Sequence, residues 1–125
     1  MTTTPSMFFA ASTTEYSASC MTTASHLPAE KNGFKLFIKD PTYHARCLSK
    51  EEVRQLLADA TALPTADTSN EGGSAKFVDF VPTYQAHLVD TFRKRTSKDR
   101  PLESLNIVLS TGSGSGFIVA PVLER

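Results

Sequence analysis

A loop between two predicted strands, at residues 19–22 and 34–39, constrains this chain most. Small residues before Ser25 favour a tight turn, Pro28 stiffens the segment that follows, and an Asn-Gly pair favours a turn into the next strand. The apolar runs on both sides predict the strands, and we expect the first of them to be buried. Such a loop displays one serine hydroxyl at the end of a sheet.

The loop resembles the phosphoserine loop of the α-D-phosphohexomutases, the phosphoglucomutase and phosphomannomutase superfamily. That signature reads approximately T-A-S-H-N-P, followed shortly by N-G-x-K. With residue frequencies near 5% each, such agreement by chance is on the order of 10⁻¹⁰ per start position. One position departs: Leu27 stands where most members have asparagine, and it can neither donate to nor accept from a phosphate. The matching residues are Thr23, Ala24, Ser25, His26, Pro28, Asn32, Gly33 and Lys35.

The resemblance implies that Ser25 is a phosphoryl carrier. A phosphorylated Ser25 would give its phosphate to a hydroxyl of a hexose phosphate, and the bisphosphorylated sugar would then return its original phosphate. Hexose 1-phosphate and hexose 6-phosphate interconvert in this way. Departure from the family at Leu27 puts the rate and the choice of hexose phosphate in question.

Two further residues of the loop carry roles that the resemblance implies. His26 either contacts the reacting phosphate or forms a hydrogen bond that fixes the loop. Lys35 would assist proton transfer or stabilise the phosphoryl group. The alternative interpretation is that Lys35 is an ordinary exposed lysine at a strand end. For Asn32-Gly33 we predict turn chemistry rather than ligand contact, because both residues tolerate a positive φ.

A phosphoserine adds about −1.5 to −2 charges near neutral pH, so Mg²⁺ is expected beside it. Ser25 would bind the metal through its phosphate, while the main ligands are expected outside this chain. The family's aspartate-rich metal loop, its sugar-recognition loop and its C-terminal phosphate-binding loop have no counterpart in these residues. We therefore expect a fragment, a truncated gene model or a degenerate copy that cannot turn over substrate alone. The alternative is a non-catalytic remnant that binds a sugar phosphate or another chain.

The fold implied by the resemblance is α/β: an incomplete three-layer α/β/α domain with a mixed sheet. Residues 1–76 would be the C-terminal part of the first such domain, with the phosphoserine loop at 22–35. Residues 77–104 would form a connecting helix and linker, and residues 105–125 the opening strand and helix of a second domain. Missing strands would leave unpaired edges and uncovered apolar faces, so we expect poor solubility or self-association.

The residues themselves predict three main helices. Thr4-Pro5 favours a helix start that continues to about residue 15. Ser49 and Glu52 form a capping box, and a helix from there should pack one face on the sheet. Pro82 can open a third helix, with basic residues near its end and a loop at 64–76 before it. The predicted apolar faces consist of Met7, Phe8 and Ala11; Val53, Leu56, Leu57, Ala60 and Leu63; and Tyr84, Leu88 and Phe92.

Composition excludes several classes of partner. Thirteen basic and thirteen acidic residues cancel, which argues against nucleic acid and anionic membranes as partners. No apolar run reaches the ~18 residues of a membrane span. Cys20 and Cys47 are expected to be buried free thiols in a reducing compartment. We expect a cytoplasmic protein. A plastid is the alternative, because the first residues are rich in Ser and Thr, although no Arg or Lys precedes Lys31. The oligomeric state is not predicted.

Hypotheses that place the chain in other functional classes have less support from the sequence. The glycines at 112, 114 and 116 follow an apolar run, but the dinucleotide fingerprint needs its third glycine where Phe117 stands. A serine hydrolase would need a G-x-S-x-G elbow around Ser25, which is absent from the sequence. The three histidines, His26, His44 and His87, have no spacing typical of a metal site.

Overall fold

The computed structural model describes residues 1–63 and 73–125. These residues form two compact units: Met1–Thr14 with Asp79–Arg125, and Glu15–Val78. The division into these two units does not test our predicted domain boundaries, which stay a prediction. In chain order the elements are α1 (Thr4–Thr13), β1 (Ala18–Thr22), β2 (Phe34–Asp40), β3 (His44–Cys47), α2 (Lys50–Ala62), α3 (Val81–Thr96), a 3-10 helix (Ser115–Val119) and α4 (Ala120–Leu123).

The second unit is built on a three-stranded sheet in the order β1-β2-β3. Both pairings are antiparallel; Cys20 lies opposite Leu36, and Phe37 lies opposite Cys47. The α/β class is therefore confirmed, and it is consistent with part of an α/β/α domain. The parallel pairing that a mixed sheet requires is not found among the described strands, which follow each other through short connections that suit antiparallel neighbours.

Phe37 is the core of this sheet, since its side chain is fully buried. Ala45 of β3 is also buried. The expected burial of β1 is wrong, because its residues alternate between exposed and half-buried. For the same reason the prediction of buried cysteines is wrong: Cys20 and Cys47 are free, as expected, but both are exposed.

Helix α2 begins where the capping box predicted. Ser49 Oγ accepts the N–H of Glu52 at 3.2 Å, and the Glu52 carboxylate accepts the N–H of Ser49 at 2.7 Å. The expectation that α2 packs one face on the sheet is wrong, because none of its residues is buried. An open groove of about 430 Å³ lies between them, with Leu36 and Ile38 on the sheet side and Leu56 on the helix side.

Removing one exposed leucine of α2 is expected to reduce self-association. Leu57 is 61% exposed and lies beside the groove, so replacing it with lysine removes apolar surface that another copy could cover. We expect Leu57→Lys to raise the dissociation constant of self-association on the order of tenfold, measured by sedimentation equilibrium. Ala58→Lys, an exposed position next to it, is the matched control. A wild-type chain that melts sharply as a monomer would contradict this expectation.

The first unit is a small helical assembly. Pro82 lies in the first turn of α3, and Arg93, Lys94 and Arg95 lie in its last turn, as predicted. The ring of Phe9 in α1 stacks on His87 of α3, with centroids 4.1 Å apart. The predicted apolar face of α1 omitted Phe9. The N-cap of α1 is Thr3, one residue before the Thr4 cap that we predicted, and its hydroxyl forms a capping box with Ser6.

Two predictions in the C-terminal part have different outcomes. The helix expected at 117–125 is present, as the 3-10 helix and α4, with Ile118 and Val122 buried. The strand expected at 105–109 is not formed, and these residues have no regular secondary structure. A strand needs a neighbour for its backbone groups, and the described chain pairs no segment with this one. Val108 is 96% exposed.

None of the described helices has the length and apolar content needed to cross a membrane. The loop prediction at 64–76 falls largely on residues outside the described ranges. Its described end, residues 73–76, has no helix or strand.

Candidate active site in the β1–β2 loop

The loop that displays Ser25 connects β1 and β2 as an antiparallel hairpin. Strand pairing ends where Thr22 lies opposite Phe34. One more backbone bond closes the loop: the N–H of Thr23 donates to the carbonyl oxygen of Gly33, with N and O 2.9 Å apart. The loop is thus anchored to the end of a hydrogen-bonded ladder, as the sequence predicted.

Inside the loop, local bonds replace those of the sheet. The N–H of Leu27 donates to the carbonyl oxygen of Ala24 at 2.9 Å. The N–H of Lys31 donates to the carbonyl oxygen of Pro28, also at 2.9 Å. The side-chain oxygen of Asn32 accepts the N–H of Gly33 at 3.0 Å. The turn at Asn32-Gly33 is therefore held by a side-chain hydrogen bond, and neither residue has the positive φ that both tolerate.

The positive φ lies at Ser25 instead, with a value of 52°. This left-handed conformation is uncommon for residues other than glycine, because Cβ crowds the following carbonyl. Ser25 is exposed, and its N–H donates to the hydroxyl oxygen of Thr23 at 3.0 Å. The tight turn therefore presents the serine side chain to solvent.

The imidazole of His26 lies against the serine hydroxyl. Ser25 Oγ and His26 Nδ1 are 3.1 Å apart, and both residues are exposed. With Nδ1 unprotonated, the hydroxyl donates to it; with Nδ1 protonated, the ring can donate to an oxygen at Ser25. Either arrangement places a group that moves protons beside the oxygen that would carry the phosphate.

Lys35 and Leu27 occupy different parts of the hairpin. Lys35 is half-buried in β2, where it lies opposite Met21, one pair further into the ladder than Thr22 and Phe34. The structure thus brings Ser25 and His26 into contact and places Lys35 on the strand that leaves the loop. Leu27 is 47% exposed on the loop surface, so the asparagine-to-leucine departure adds apolar surface near the serine.

No group of three or more His, Cys, Asp or Glu residues in the described part of the chain could hold a metal ion. The residues present do not by themselves fit a Mg²⁺ site. His44 lies at the start of β3 opposite Asp40, on a different connection of the sheet from His26.

An ion-pair network that the sequence analysis missed links β2, β3 and α2. Both terminal nitrogens of Arg46 donate to the Glu52 carboxylate at 2.7 Å, and Arg46 Nε donates to Asp40 at 3.2 Å. Backbone N–H groups of Tyr43 and Thr42 also donate to Asp40. The sequence indicates this network only weakly, because Asp40, Arg46 and Glu52 are separated by intervals of six residues.

This network shifts the acidity of its members. Hydrogen bonds from Arg46, and then from Ser49, lower the pKa of Glu52 to about 2. The N–H of Tyr43, with smaller effects of Thr42 and Arg46, lowers the pKa of Asp40. Arg46 has a raised pKa, mainly because it donates to Glu52. The carboxylates therefore stay ionised in the folded chain well below neutral pH.

Lowering the pH is expected to destabilise the second unit, because Glu52 becomes protonated and loses its charge. The pKa of Glu52 is lower in the folded chain than in the unfolded chain. The stabilisation from its ion pair is therefore complete above the ordinary pKa near 4.5 and is lost as the pH falls toward about 2. Thermal melts followed by circular dichroism from pH 6 to pH 2 should show this loss. Glu52→Gln should be less stable at pH 6 and lose less in acid. Glu51→Gln, whose partner Arg54 is solvated, should behave like the wild type; equal acid loss in Glu52→Gln and wild type would refute the assignment.

Comparison with known proteins bears directly on the loop. Residues 1–62 match the family model described as phosphoglucomutase/phosphomannomutase, alpha/beta/alpha domain I. The resemblance to the α-D-phosphohexomutases is confirmed. A phosphoglucosamine mutase of Helicobacter pylori (strain Shi470) is 34% identical over 124 residues, which cover 96% of this chain and 26% of that protein.

Two other bacterial relatives match the same share of this chain at lower identity. A phosphoglucosamine mutase of Sulfurovum sp. (strain NBC37-1) is 29% identical, over 96% of this chain and 26% of that protein. A phosphomannomutase/phosphoglucomutase of Pseudomonas putida (strain KT2440) is 29% identical, over 96% of this chain and 23% of that protein. The chain thus spans about a quarter of the phosphohexomutases it matches. No solved structure gave a significant match.

Proposed function

We propose that this chain is the part of a phosphohexomutase that carries the phosphoserine, with Ser25 as the residue that is phosphorylated. The observation that carries the proposal is the loop itself: an exposed serine on a tight turn, anchored to a hairpin, with His26 Nδ1 at 3.1 Å from its hydroxyl. The similarity to mutases over 96% of the chain supports the same conclusion.

The reaction interconverts hexose 1-phosphate and hexose 6-phosphate. A free hydroxyl of the substrate attacks the phosphorus on Ser25, the bond between phosphorus and Ser25 Oγ breaks, and a bisphosphorylated sugar forms. After that sugar reorients, Ser25 Oγ attacks its other phosphate, and the bond to the sugar oxygen breaks. Each transfer moves one proton from the attacking hydroxyl to the leaving oxygen, so the enzyme is regenerated.

His26 acts at the serine oxygen in this scheme. When Ser25 Oγ leaves phosphorus, protonated His26 Nδ1 can donate to it, and when Oγ attacks, unprotonated Nδ1 can accept its proton. Lys35 supplies a positive charge on the strand that leaves the loop, where it steadies the phosphoryl group. His26 would thus act as a general acid and base at the serine oxygen, whereas Lys35 would neutralise charge on the phosphoryl group.

Mg²⁺ belongs to the proposal, with Ser25 contributing through its phosphate and the main ligands coming from outside this chain. When bound, the ion would neutralise charge on the transferred phosphate. Since the chain spans about a quarter of its relatives, we propose that residues 1–125 alone do not convert substrate. The cytoplasm is the proposed location, and the bacterial relatives give the plastid alternative no support.

A non-catalytic remnant is the second candidate. Leu27 favours it, since it replaces an amide with an apolar group beside the serine. In a remnant the loop would bind a sugar phosphate weakly, or an apolar face would bind another chain. The sugar is not fixed by the described residues, and the relatives are named for glucosamine, mannose and glucose.

An isomerisation assay separates the two candidates. The protein that contains this chain, isolated from its source, is incubated with glucose 1-phosphate, mannose 1-phosphate or glucosamine 1-phosphate. We expect the 6-phosphate of at least one sugar to appear with Mg²⁺ and to stop with EDTA. Failure with all three sugars in the presence of Mg²⁺ would overturn the enzyme proposal and favour the remnant.

A further inference from the structure

The turn that displays Ser25 is held by a side chain outside the three candidate catalytic residues. The hydroxyl oxygen of Thr23 accepts the backbone N–H of Ser25 at 3.0 Å. The backbone N–H of Thr23 donates to Gly33 across the base of the hairpin at 2.9 Å. Thr23 therefore connects the serine directly to the last backbone bond of the β1–β2 ladder.

Ser25 needs such support because its backbone is left-handed, with φ at 52°. Residues in this region persist only where the surroundings hold them there. A threonine hydroxyl that accepts an N–H two residues later forms a side-chain turn, which competes well with other local conformations. The bond from Leu27 to Ala24 then closes the chain over Ser25.

We propose that Thr23 is a positioning residue for Ser25: its hydroxyl holds the serine in the left-handed conformation that places Oγ beside His26 Nδ1. It acts through Ser25 and does not touch the phosphate. Its importance for phosphoryl transfer rests on the proposed function, whereas the positioning is a property of the loop itself.

Three variants separate the hydroxyl from the shape of the side chain. Thr23→Val keeps the branched shape and loses the acceptor. Thr23→Ser keeps the acceptor and should rescue the loop. Thr22→Val is the matched control, since Thr22 is the neighbouring exposed threonine in a strand position where valine fits well.

Nuclear magnetic resonance of the ¹⁵N-labelled 125-residue chain gives the readout. We expect Thr23→Val to increase amide exchange at Ser25 about fivefold, the factor that corresponds to a net hydrogen bond of about 1 kcal/mol. The three-bond coupling between the amide and α protons of Ser25 should move toward that of an extended residue. Thr23→Ser and Thr22→Val should keep the wild-type values.

Two results would overturn the inference. One is a Thr23→Val spectrum in which the exchange and the coupling of Ser25 are unchanged. The other is a Thr23→Ser variant that changes as much as Thr23→Val, which would show that the methyl group matters instead of the hydroxyl. Absence of phosphate on Ser25 in the source protein would overturn the mutase proposal and leave this result unaffected, so the two failures are distinguishable.

Discussion

Under the proposed function, replacing Ser25 with alanine is expected to abolish phosphorylation of this loop and to reduce mutase activity of the protein that contains it by at least about 10⁴-fold. Alanine lacks the oxygen that forms and breaks the bond to phosphorus, and loss of a covalent nucleophile costs other enzymes up to about 10⁶-fold. The measurement is the initial rate of conversion of a hexose 1-phosphate, together with the mass of the loop peptide.

Ser17→Ala is the matched control for this variant. Ser17 lies in the same unit just before β1, and its role in the sheet is through its backbone carbonyl, which accepts the N–H of Lys39. We expect its rate and its phosphate content to equal those of the wild type. An active Ser25→Ala protein that still carries phosphate on this peptide would show that another residue is the carrier.

Replacing Phe37 with alanine is expected to destabilise the second unit by about 3 to 5 kcal/mol, the usual cost of removing a buried aromatic ring. Phe37 is fully buried in the central strand of the sheet, so its removal leaves a cavity that the small unit can fill only by collapsing. Urea unfolding followed by circular dichroism measures the change. With a loss of this size, unfolding of the whole unit without denaturant is within the expected range.

Phe34→Ala is a control with the same chemistry on the same strand. Phe34 is 72% exposed, so the same truncation should change the free energy of unfolding by less than about 1 kcal/mol. Equal destabilisation by the two variants would contradict the assignment of Phe37 to the core. It would indicate that the exposed face carrying Phe34 is covered in solution.

Local signals in the sequence predicted the starts of α2 and α3 and the β1–β2 hairpin, whereas β3 was not predicted. The capping box at Ser49 and Glu52 and the proline in the first turn of α3 each act within one turn of helix, and both are present. The hairpin was predictable because the small residues, the proline and the Asn-Gly pair lie between two apolar runs. These features depend only on neighbours along the chain.

Features that depend on distant partners were not predictable. The apolar stripe of α2 predicted that one face of the helix packs on the sheet, but a stripe does not show whether a surface is present to cover it. The residues at 105–109 have strand composition, yet a strand forms only with a neighbour. The Arg46 network requires that β3 and α2 be brought together, which no local spacing encodes.

The candidate site was predictable in its residues and less so in its geometry. Ser25, His26 and Lys35 came from the resemblance, and their catalytic roles stay predictions. The contact between Ser25 and His26 follows once the turn is formed. The left-handed backbone at Ser25 and its bond to Thr23 were missed, because serine has no strong preference for positive φ and the hydroxyl of Thr23 has several possible partners.

The proposed function requires that Ser25 carries a phosphoryl group. Intact-mass spectrometry with peptide mapping, on protein isolated from its source, tests it most directly. We expect a parent protein several times heavier than this chain, with one phosphate on the peptide that contains Ser25. A mature 125-residue species without phosphate on Ser25 would contradict it and would identify a remnant without mutase chemistry.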